Sequence, residues 1–356
     1  RLPLGTIICD NRYVDAMRQS DIACRFLGMT TSKLSGHIMD IEIERTEYLP
    51  SYLGLYEKGV LAARAQELVR RLASCDLCPR RCGVDRRAGH VGACGVGARP
   101  KVAAMSIHPW EEPPISGTGG SGTIFFSGCT LNCVFCQNYP ISQLGVGRPL
   151  TVEKLAGGML RLQRQGAHNI NLVTATHQMP AFVKALELAV PLGLRLPVVY
   201  NTSGYERAEI LRLLEGIVDV YLPDIKYDDP LIAKRLSGRD DYVVENRAAL
   251  REMWRQAGPL VCGGDGLAVR GMIVRHMVLP EDLSGTARCM EFLAREIGPD
   301  VWVSLMSQYF PAHRAYRMPP LDRKVTPEEY EAAFRGLNEA GIENGFVQEE
   351  CGESFS

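Results

Sequence analysis

Residues 122–138 read GTIFFSGCTLNCVFCQN. The run Thr123–Phe126 is short, apolar and rich in the residue types that suit a buried strand. It breaks at Ser127-Gly128 into a loop that carries Cys129, Cys133 and Cys136 at CxxxCxxC spacing. Three thiolates on one loop can hold three irons of a cubane cluster and leave the fourth iron open for another ligand. Structural zinc normally takes four protein ligands, and this loop has three with no histidine close in sequence. Redox CxxC chemistry needs only two cysteines. Small buried thiols on a helix would need an apolar face, which Gly128, Asn132 and Gln137 interrupt.

Downstream of this loop, apolar runs and helical patterns alternate. Strands are predicted at Asn169–Val173, Val198–Tyr200, Val218–Leu222, Met272–Leu279 and Val301–Met306. Helices are predicted at Thr151–Gln165, Pro180–Leu188, Arg207–Leu214, Asn246–Gln256 and Thr286–Glu296. A last helix opens at Thr326-Pro327-Glu328-Glu329, where a Thr cap, a first-turn Pro and a Glu at the third position agree, and it stops at Gly341. Strand–helix alternation with parallel-type strands means an α/β fold, either an open sheet or a (β/α) barrel. Polar residues gather just past the strand ends, where such folds build their sites.

Upstream, Leu55–Ala73 reads as a helix with an apolar stripe of Leu61, Ala62, Ala65, Leu68, Val69 and Leu72. Residues 76–100 are dense in Cys, Gly and Arg and too poor in apolar residues for a core of their own, so a crosslink is expected there. Cys75, Cys78, Cys82 and Cys94 supply one: four thiolates suit a closed zinc site or an iron–sulfur cluster, and partly free thiols are the third reading. Because this set precedes the first strand, its expected role is structural or electron-relaying rather than catalytic. The neighbouring Arg80, Arg81, Arg86 and Arg87 offset thiolate charge, face a partner, or form a solvated face. Residues 1–46 carry two weak helical patterns, at Tyr13–Leu27 and Thr31–Ile41. The division predicted is 1–46, an extension of unassigned role; 47–100, a helix with the four-cysteine segment; and 101–350, the α/β domain.

The whole chain of 356 residues has 40 Lys and Arg against 41 Asp and Glu, a net charge of -1. That excludes a strongly basic nucleic-acid domain and modestly disfavours RNA as a substrate. No run of apolar residues is long enough to span a bilayer, and the opening residues lack the pattern of a secretory signal. Of the 12 cysteines, seven fall in the two tight groups, at spacings that wrap an ion or cluster more readily than they close a disulfide. Free thiolates at this density call for a reducing compartment, so a cytoplasmic location is expected. Cys9, Cys24, Cys262, Cys289 and Cys351 stand alone. Phosphate-binding GxxxxGK[ST], zinc-binding HExxH and nucleophile-elbow GxSxG segments are absent, and Cys262–Gly266 reads as a turn.

The CxxxCxxC loop after the first strand of a (β/α) series resembles the signature of the radical S-adenosylmethionine (SAM) superfamily. The phrases at residues 122–129, 136–139, 108–117 and 304–309 resemble the branch related to pyruvate formate-lyase activating enzyme, most closely its PflX-type iron–sulfur proteins, over about residues 49–350. The resemblance implies a partial (β/α)6 TIM-like barrel preceded by a cysteine-rich metal-binding segment, an element that PflX-type sequences share. It implies a [4Fe-4S] cluster on Cys129, Cys133 and Cys136 whose unique iron chelates SAM. One electron then cleaves SAM to methionine and a 5′-deoxyadenosyl radical that abstracts hydrogen. It also implies an electron donor such as flavodoxin or ferredoxin and, for an activating enzyme, a glycyl radical enzyme as protein substrate. Modification of a small molecule, peptide or RNA is the alternative, and a non-enzymatic iron–sulfur or zinc module the competing class.

Family positions for SAM map strand by strand. After the second strand, where activating enzymes carry Gly-Gly-Glu, this chain has Val173-Thr174-Ala175-Thr176-His177-Gln178, so that Thr174, Thr176 or His177 would receive the methionine amine. His177 must then be neutral to accept; a structural histidine is the other reading. Thr202-Ser203-Gly204 matches Thr-Asn-Gly, Asp224 and Lys226 match Asp-x-Lys, and Arg275 with Pro280 matches Arg…Val-Pro-Gly, with Glu281 in place of the glycine. Lys226 reads alternatively as solvated surface, and His276 as core or site.

Overall fold

The computed structural model describes residues 48–347. The two helical patterns expected near the N-terminus, with Cys9, Cys24 and Cys351, lie outside them. The described part belongs to one compact unit.

Helices α1 (Tyr52–Glu57) and α2 (Val60–Arg70) come first. Leu61, Ala65, Leu68 and Leu72 are buried as the apolar stripe requires, but Val69 faces outward, so the stripe is narrower than its sequence suggests. Strand β1 (Lys101–His108) runs antiparallel to β2 (Ser121–Phe126), pairing Val102 with Phe126 and His108 with Ser121. The turn between them carries α3 (Pro113–Ser116). After β2 come α4 (Tyr139–Ser142), β3 (Arg148–Pro149), α5 (Val152–Arg164), β4 (Ile170–Val173), α6 (Met179–Ala189), β5 (Val198–Thr202), α7 (Ala208–Leu213) and β6 (Val220–Pro223). The chain continues through α8 (Pro230–Ser237), α9 (Tyr242–Ala257), β7 (Val261–Cys262), β8 (Ala268–Met277), α10 (Thr286–Phe292), β9 (Trp302–Met306), α11 (Pro327–Glu339) and β10 (Gly345–Val347).

The sheet runs β10-β9-β8-β6-β5-β4-β2-β1-β3, with β7 paired to β8. From β2 to β10 every neighbouring pair on this path is parallel. Among the described residues its ends do not pair with each other, which makes a partial barrel. All six predicted strands are present. They are buried apolar runs, as parallel strands covered on both faces must be. Thr151 caps α5 by accepting the Lys154 N–H at 3.3 Å, and Thr326 with Glu329 closes the expected capping box on α11. Below the strands, Asp219 accepts from the Tyr48 hydroxyl at 2.6 Å and from the Val198 N–H at 2.8 Å, which ties the start of the described chain to the sheet. The parallel order puts the C-terminal ends of β2, β4, β5, β6, β8 and β9 on one rim, and the polar residues singled out above converge there.

Candidate functional site

The cysteine loop leaves β2 at Ser127, whose N–H bonds the Lys101 carbonyl at 2.9 Å. Gly128 then turns with φ +83°, a left-handed conformation that favours glycine. A Cβ at Gly128 would overlap the Cys94 carbonyl oxygen and stand 3.1 Å from His177 Nε2, so close approach requires glycine as well. The loop is fastened from two sides. Ser237 and Leu236, at the end of α8, accept from Asn132 N at 3.2 Å and Val134 N at 2.8 Å. Arg314 and Ala315, beyond β9, donate to the Val134 carbonyl at 2.9 and 3.1 Å. Phe135 packs edge-on against Tyr309, with ring centroids 6.0 Å apart.

Each thiol has a local partner. Cys129 Sγ accepts from Leu131 N at 3.4 Å, Cys133 Sγ lies 2.9 Å from the Ser237 hydroxyl, and Cys136 Sγ lies 3.2 Å from the Ser142 hydroxyl. Burial pushes the Cys133 thiol up to about 11, against the opposing pull of the Lys226 ammonium, and pushes Cys129 higher still. Thiols held that high are poor redox nucleophiles at neutral pH. They become thiolates when a bound cation displaces the proton.

Around them stand the strand-end residues. Lys226 pairs with Asp224, its neighbour just past the end of β6. Burial works against its charge, but Asp224 and the neighbouring thiols outweigh burial and keep Lys226 protonated. Tyr242 and Asn246 of α9 fix this rim: the Tyr242 hydroxyl donates to the Ser203 carbonyl at 2.9 Å, and Asn246 Nδ2 donates to the Asp224 and Gly204 carbonyls at 2.9 and 3.1 Å. His177 Nε2 is 2.8 Å from the Ser127 carbonyl. That carbonyl can only accept, so Nε2 carries the hydrogen and Nδ1 is an acceptor, buried and without a partner. Burial pulls His177 down to about 4, so it is neutral at physiological pH, as the amine-acceptor reading requires. The Ser203 hydroxyl is likewise buried and unpartnered. Thr174 holds φ +56°, unusual for a β-branched residue and typical of functional loops. A small cavity of about 20 Å³ marks the mouth, lined by Phe135, Asp224, Lys226, Met277, Leu279 and Met306. A larger cavity, about 560 Å³, lies against α2 and α6, away from this rim.

The radical SAM superfamily profile matches residues 123–263, which contain the cysteine loop and the rims of β4, β5 and β6. Residues 123–263 of the chain thus form a radical SAM domain. The chain carries that superfamily's catalytic domain and is an enzyme, and SAM cleavage at an iron–sulfur centre is the chemistry the domain performs. An uncharacterised protein of Methanocaldococcus jannaschii is 29% identical over 272 residues, 73% of each chain. The pyruvate formate-lyase-activating enzyme of Clostridium pasteurianum is 28% identical over 144 residues, 37% of this chain and 59% of that enzyme. Among solved structures, a radical SAM methyltransferase from Sphaerobacter thermophilus aligns over 86% of this chain and 95% of its own, at 16% identity and a TM-score of 0.47.

Several residues assigned to SAM from the sequence of this radical SAM enzyme are engaged by the protein itself. Thr176 donates to Glu206 Oε1 at 2.5 Å, Tyr200 donates to the same oxygen at 2.7 Å, and Thr202 donates to it as well. Burial raises Glu206 to about 7, with the three hydroxyls opposing. Glu206 had no sequence signal beyond lying two residues past Gly204. Arg275, bridged to Asp224 at the rim, is engaged by the protein: its guanidinium grips Glu112 through two contacts at 2.7 Å and also binds Glu111. Both glutamates lie in the turn between β1 and β2, at the opposite end of β2 from the cysteine loop. The structure therefore places Arg275 in a buried ion cluster. His276 is core, with Nδ1 2.7 Å from the Ile225 carbonyl and Nε2 2.9 Å from Thr286 Oγ1.

The Cys75–Cys94 segment is not held by crosslinking alone. Cys75 and Leu77 insert into the main core, and the segment is laced by Cys75 N to the Val84 carbonyl, 2.9 Å, and Gly83 N to the Cys75 carbonyl, 2.9 Å. Its position before the first strand does not keep it from the site. Arg80 donates to the Thr130 carbonyl, and Cys94 abuts Gly128.

Proposed function

We propose that Cys129, Cys133 and Cys136 hold a [4Fe-4S] cluster and that this enzyme abstracts hydrogen from the glycine backbone of a partner protein, as a glycyl-radical activating enzyme. The observation that carries the site is the placement of three half-buried thiols, the Asp224–Lys226 pair and the unpartnered His177 and Ser203 atoms on one rim. The likeness to the Clostridium pasteurianum activating enzyme supports the substrate class.

The donor set fits the group. Three thiols with hydroxyl or N–H donors at their sulfurs suit cluster ligation, since hydrogen bonds to sulfur tune cluster potential. When bound, the cluster supplies the electron that cleaves SAM. The protein's own residues do the rest. Lys226, kept charged by Asp224, offers an ammonium to an anionic group at the mouth. His177 Nδ1 and Ser203 Oγ are positioned to accept from an ammonium. Gly204, at φ +72°, lets the backbone pass close against the Asp224 carbonyl and Asn246, which fixes the Ser203 position on the rim. Phe135, Met277, Leu279 and Met306 exclude water, which a reactive radical requires.

Anaerobic reconstitution of the wild type and of a Cys129/Cys133/Cys136→Ala variant tests the site: iron lost in the variant together with loss of 5′-deoxyadenosine supports it, and unchanged iron per chain refutes it. Transfer of partner-derived deuterium into 5′-deoxyadenosine tests the substrate. Deuterium arriving only from a small molecule, and never from a protein, would overturn the activase reading.

A further inference from the structure

We propose that Glu206 is a positioning residue: its carboxylate ties the loop after β4 to the loop after β5 and so holds His177 Nδ1 and Ser203 Oγ where both meet one ligand. The inference rests on the reading that this rim receives the amine of SAM, and it adds to that reading a residue that acts only through its neighbours.

One oxygen does the tying. Glu206 Oε1 accepts from Thr176 Oγ1 at 2.5 Å, from the Tyr200 hydroxyl at 2.7 Å and from Thr202 Oγ1. Thr176 opens the short helical turn Thr176–Gln178 beyond β4, Tyr200 lies within β5, and Thr202 ends it. All four residues are buried, none of them more than 2% exposed, so the three hydroxyls have no water to turn to. An apolar residue at position 206 would fill the same space but leave three buried hydroxyls without this acceptor, which is costly.

The atoms that need holding sit on the immediate neighbours of the tied residues. His177 follows Thr176, and Ser203 follows Thr202. Neither His177 Nδ1 nor Ser203 Oγ has a hydrogen-bond partner, so neither atom fixes its own direction. The far side of the imidazole is anchored by Nε2 on the Ser127 carbonyl, 2.8 Å away, and the backbone that carries the ring is set by the bond from Thr176 to Glu206. Around Ser203, the hydroxyl of Thr202 works in both directions: it donates to Glu206 and accepts from Gly204 N at 3.3 Å, which closes the turn over the serine.

The loop after β4 also needs restraint. Thr174 holds φ +56°, a left-handed conformation that a β-branched residue rarely adopts. Such a backbone persists only where its surroundings over-determine it. The Thr174 N–H bonds the Asn201 carbonyl at 3.0 Å and secures one end of the segment. The Thr176–Glu206 bond secures the other end, two residues on. With that bond gone the segment is free to relax toward an ordinary φ, and His177 moves with it.

The test uses the full-length protein, reconstituted anaerobically with iron and sulfide and titrated with SAM by calorimetry. Glu206→Gln keeps an oxygen acceptor of the same reach and is expected to bind SAM within about threefold of wild type, whereas Glu206→Ala is expected to bind about tenfold more weakly with iron per chain unchanged. In SAM cleavage the Ala variant should show the loss in KM and not in kcat. A readout that needs no cluster is solvent exchange of the His177 Nε2–H in unreconstituted protein carrying isotope-labelled histidine; it should be faster in Glu206→Ala and unchanged in Glu206→Gln. Should Glu206→Ala not fold, Thr176→Val/Thr202→Val, which keeps Glu206 and the size of both side chains, should reproduce its effects. Wild-type SAM affinity and wild-type His177 exchange in Glu206→Ala or in the double valine variant overturn the positioning role, whatever happens to Tm. Equal losses in Glu206→Gln and Glu206→Ala overturn it too, because charge and not the grip on the hydroxyls would then matter. Full SAM affinity in a His177→Phe/Ser203→Ala protein refutes the reading of the rim itself, and the role of Glu206 falls with it; failure of the Glu206 variants alone leaves that reading standing.

Discussion

Replacing Arg275 by Ala separates a buried structural cation from a SAM ligand. The side chains of Arg275, Glu111 and Glu112 are 15%, 6% and 5% exposed. Glu112 is held below its ordinary range: burial alone would raise it, but Arg275 and its hydrogen bonds outweigh burial. Removing the guanidinium leaves two nearly buried carboxylates facing each other, and breaking a buried pair from one side costs about 3–5 kcal/mol. At roughly 2 °C per kcal/mol for a domain of this size, Tm should fall by about 6–10 °C. The variant can escape part of that cost by protonating its carboxyls. Because the native Glu112 value is depressed, its contribution to stability is present above the ordinary carboxylate value of 4.5 and is lost as pH falls through the depressed one. The gap in Tm between wild type and Arg275→Ala should therefore be full at pH 7 and narrow below pH 4.5. Glu111→Gln/Glu112→Gln/Arg275→Met, which removes the whole charge set, should recover most of the lost stability. Differential scanning fluorimetry across pH, with SAM affinity measured at pH 7 by calorimetry, decides the matter. A Tm within 2 °C of wild type together with a tenfold weaker affinity for SAM would refute the argument and return Arg275 to the cofactor site.

Two further substitutions probe the rim. Gly128→Ala puts a Cβ into the Cys94 carbonyl at a left-handed φ, so it should cost about 1–3 kcal/mol and lower cluster occupancy, read as iron per chain after reconstitution; full iron and an unchanged Tm would mean that the two cysteine segments are not in contact. Glu206 is raised to about 7 from an ordinary 4.5, so its contribution to stability is complete below 4.5 and lost as pH rises through 7. Wild-type Tm should fall between about pH 4.5 and 7 and level off above that, and Glu206→Gln should flatten that slope; a slope that survives the substitution would assign the titration to another group.

Much of the fold was legible because burial on both faces forces parallel strands to be short apolar runs, and six such runs stood out. Strand β1 was not legible. Its burial alternates poorly along KVAAMSIH, and its pairing is set by β2, which lies beyond an intervening turn. Helix α8 was missed although Asp229-Pro230 opens it with a cap and a first-turn proline, because eight residues carry too little periodicity to register. The apolar stripe of α2 was overread at Val69, where the period points outward and the residue is simply exposed.

The candidate site was legible where chemistry is carried by local spacing, and illegible where it depends on what the sheet brings together. Three cysteines within eight residues announce themselves. The partner of Arg275 does not, because Glu111 and Glu112 lie 164 and 163 residues away and reach it only once the turn between β1 and β2 is folded. Thr176 and Thr202 have the same history: each looks like a free hydroxyl at a strand end, until Glu206 is seen to take both. The consequence is chemical. With those hydroxyls engaged and Arg275 neutralised, the groups left to meet a ligand at the rim are the Lys226 ammonium, the Asp224 carboxylate, neutral His177 and the Ser203 hydroxyl. They are set against a wall of Phe135, Leu279 and two methionines. On the function proposed above, one ammonium and two neutral acceptors would meet a ligand that carries a carboxylate and an amine on one carbon, as the methionyl end of SAM does.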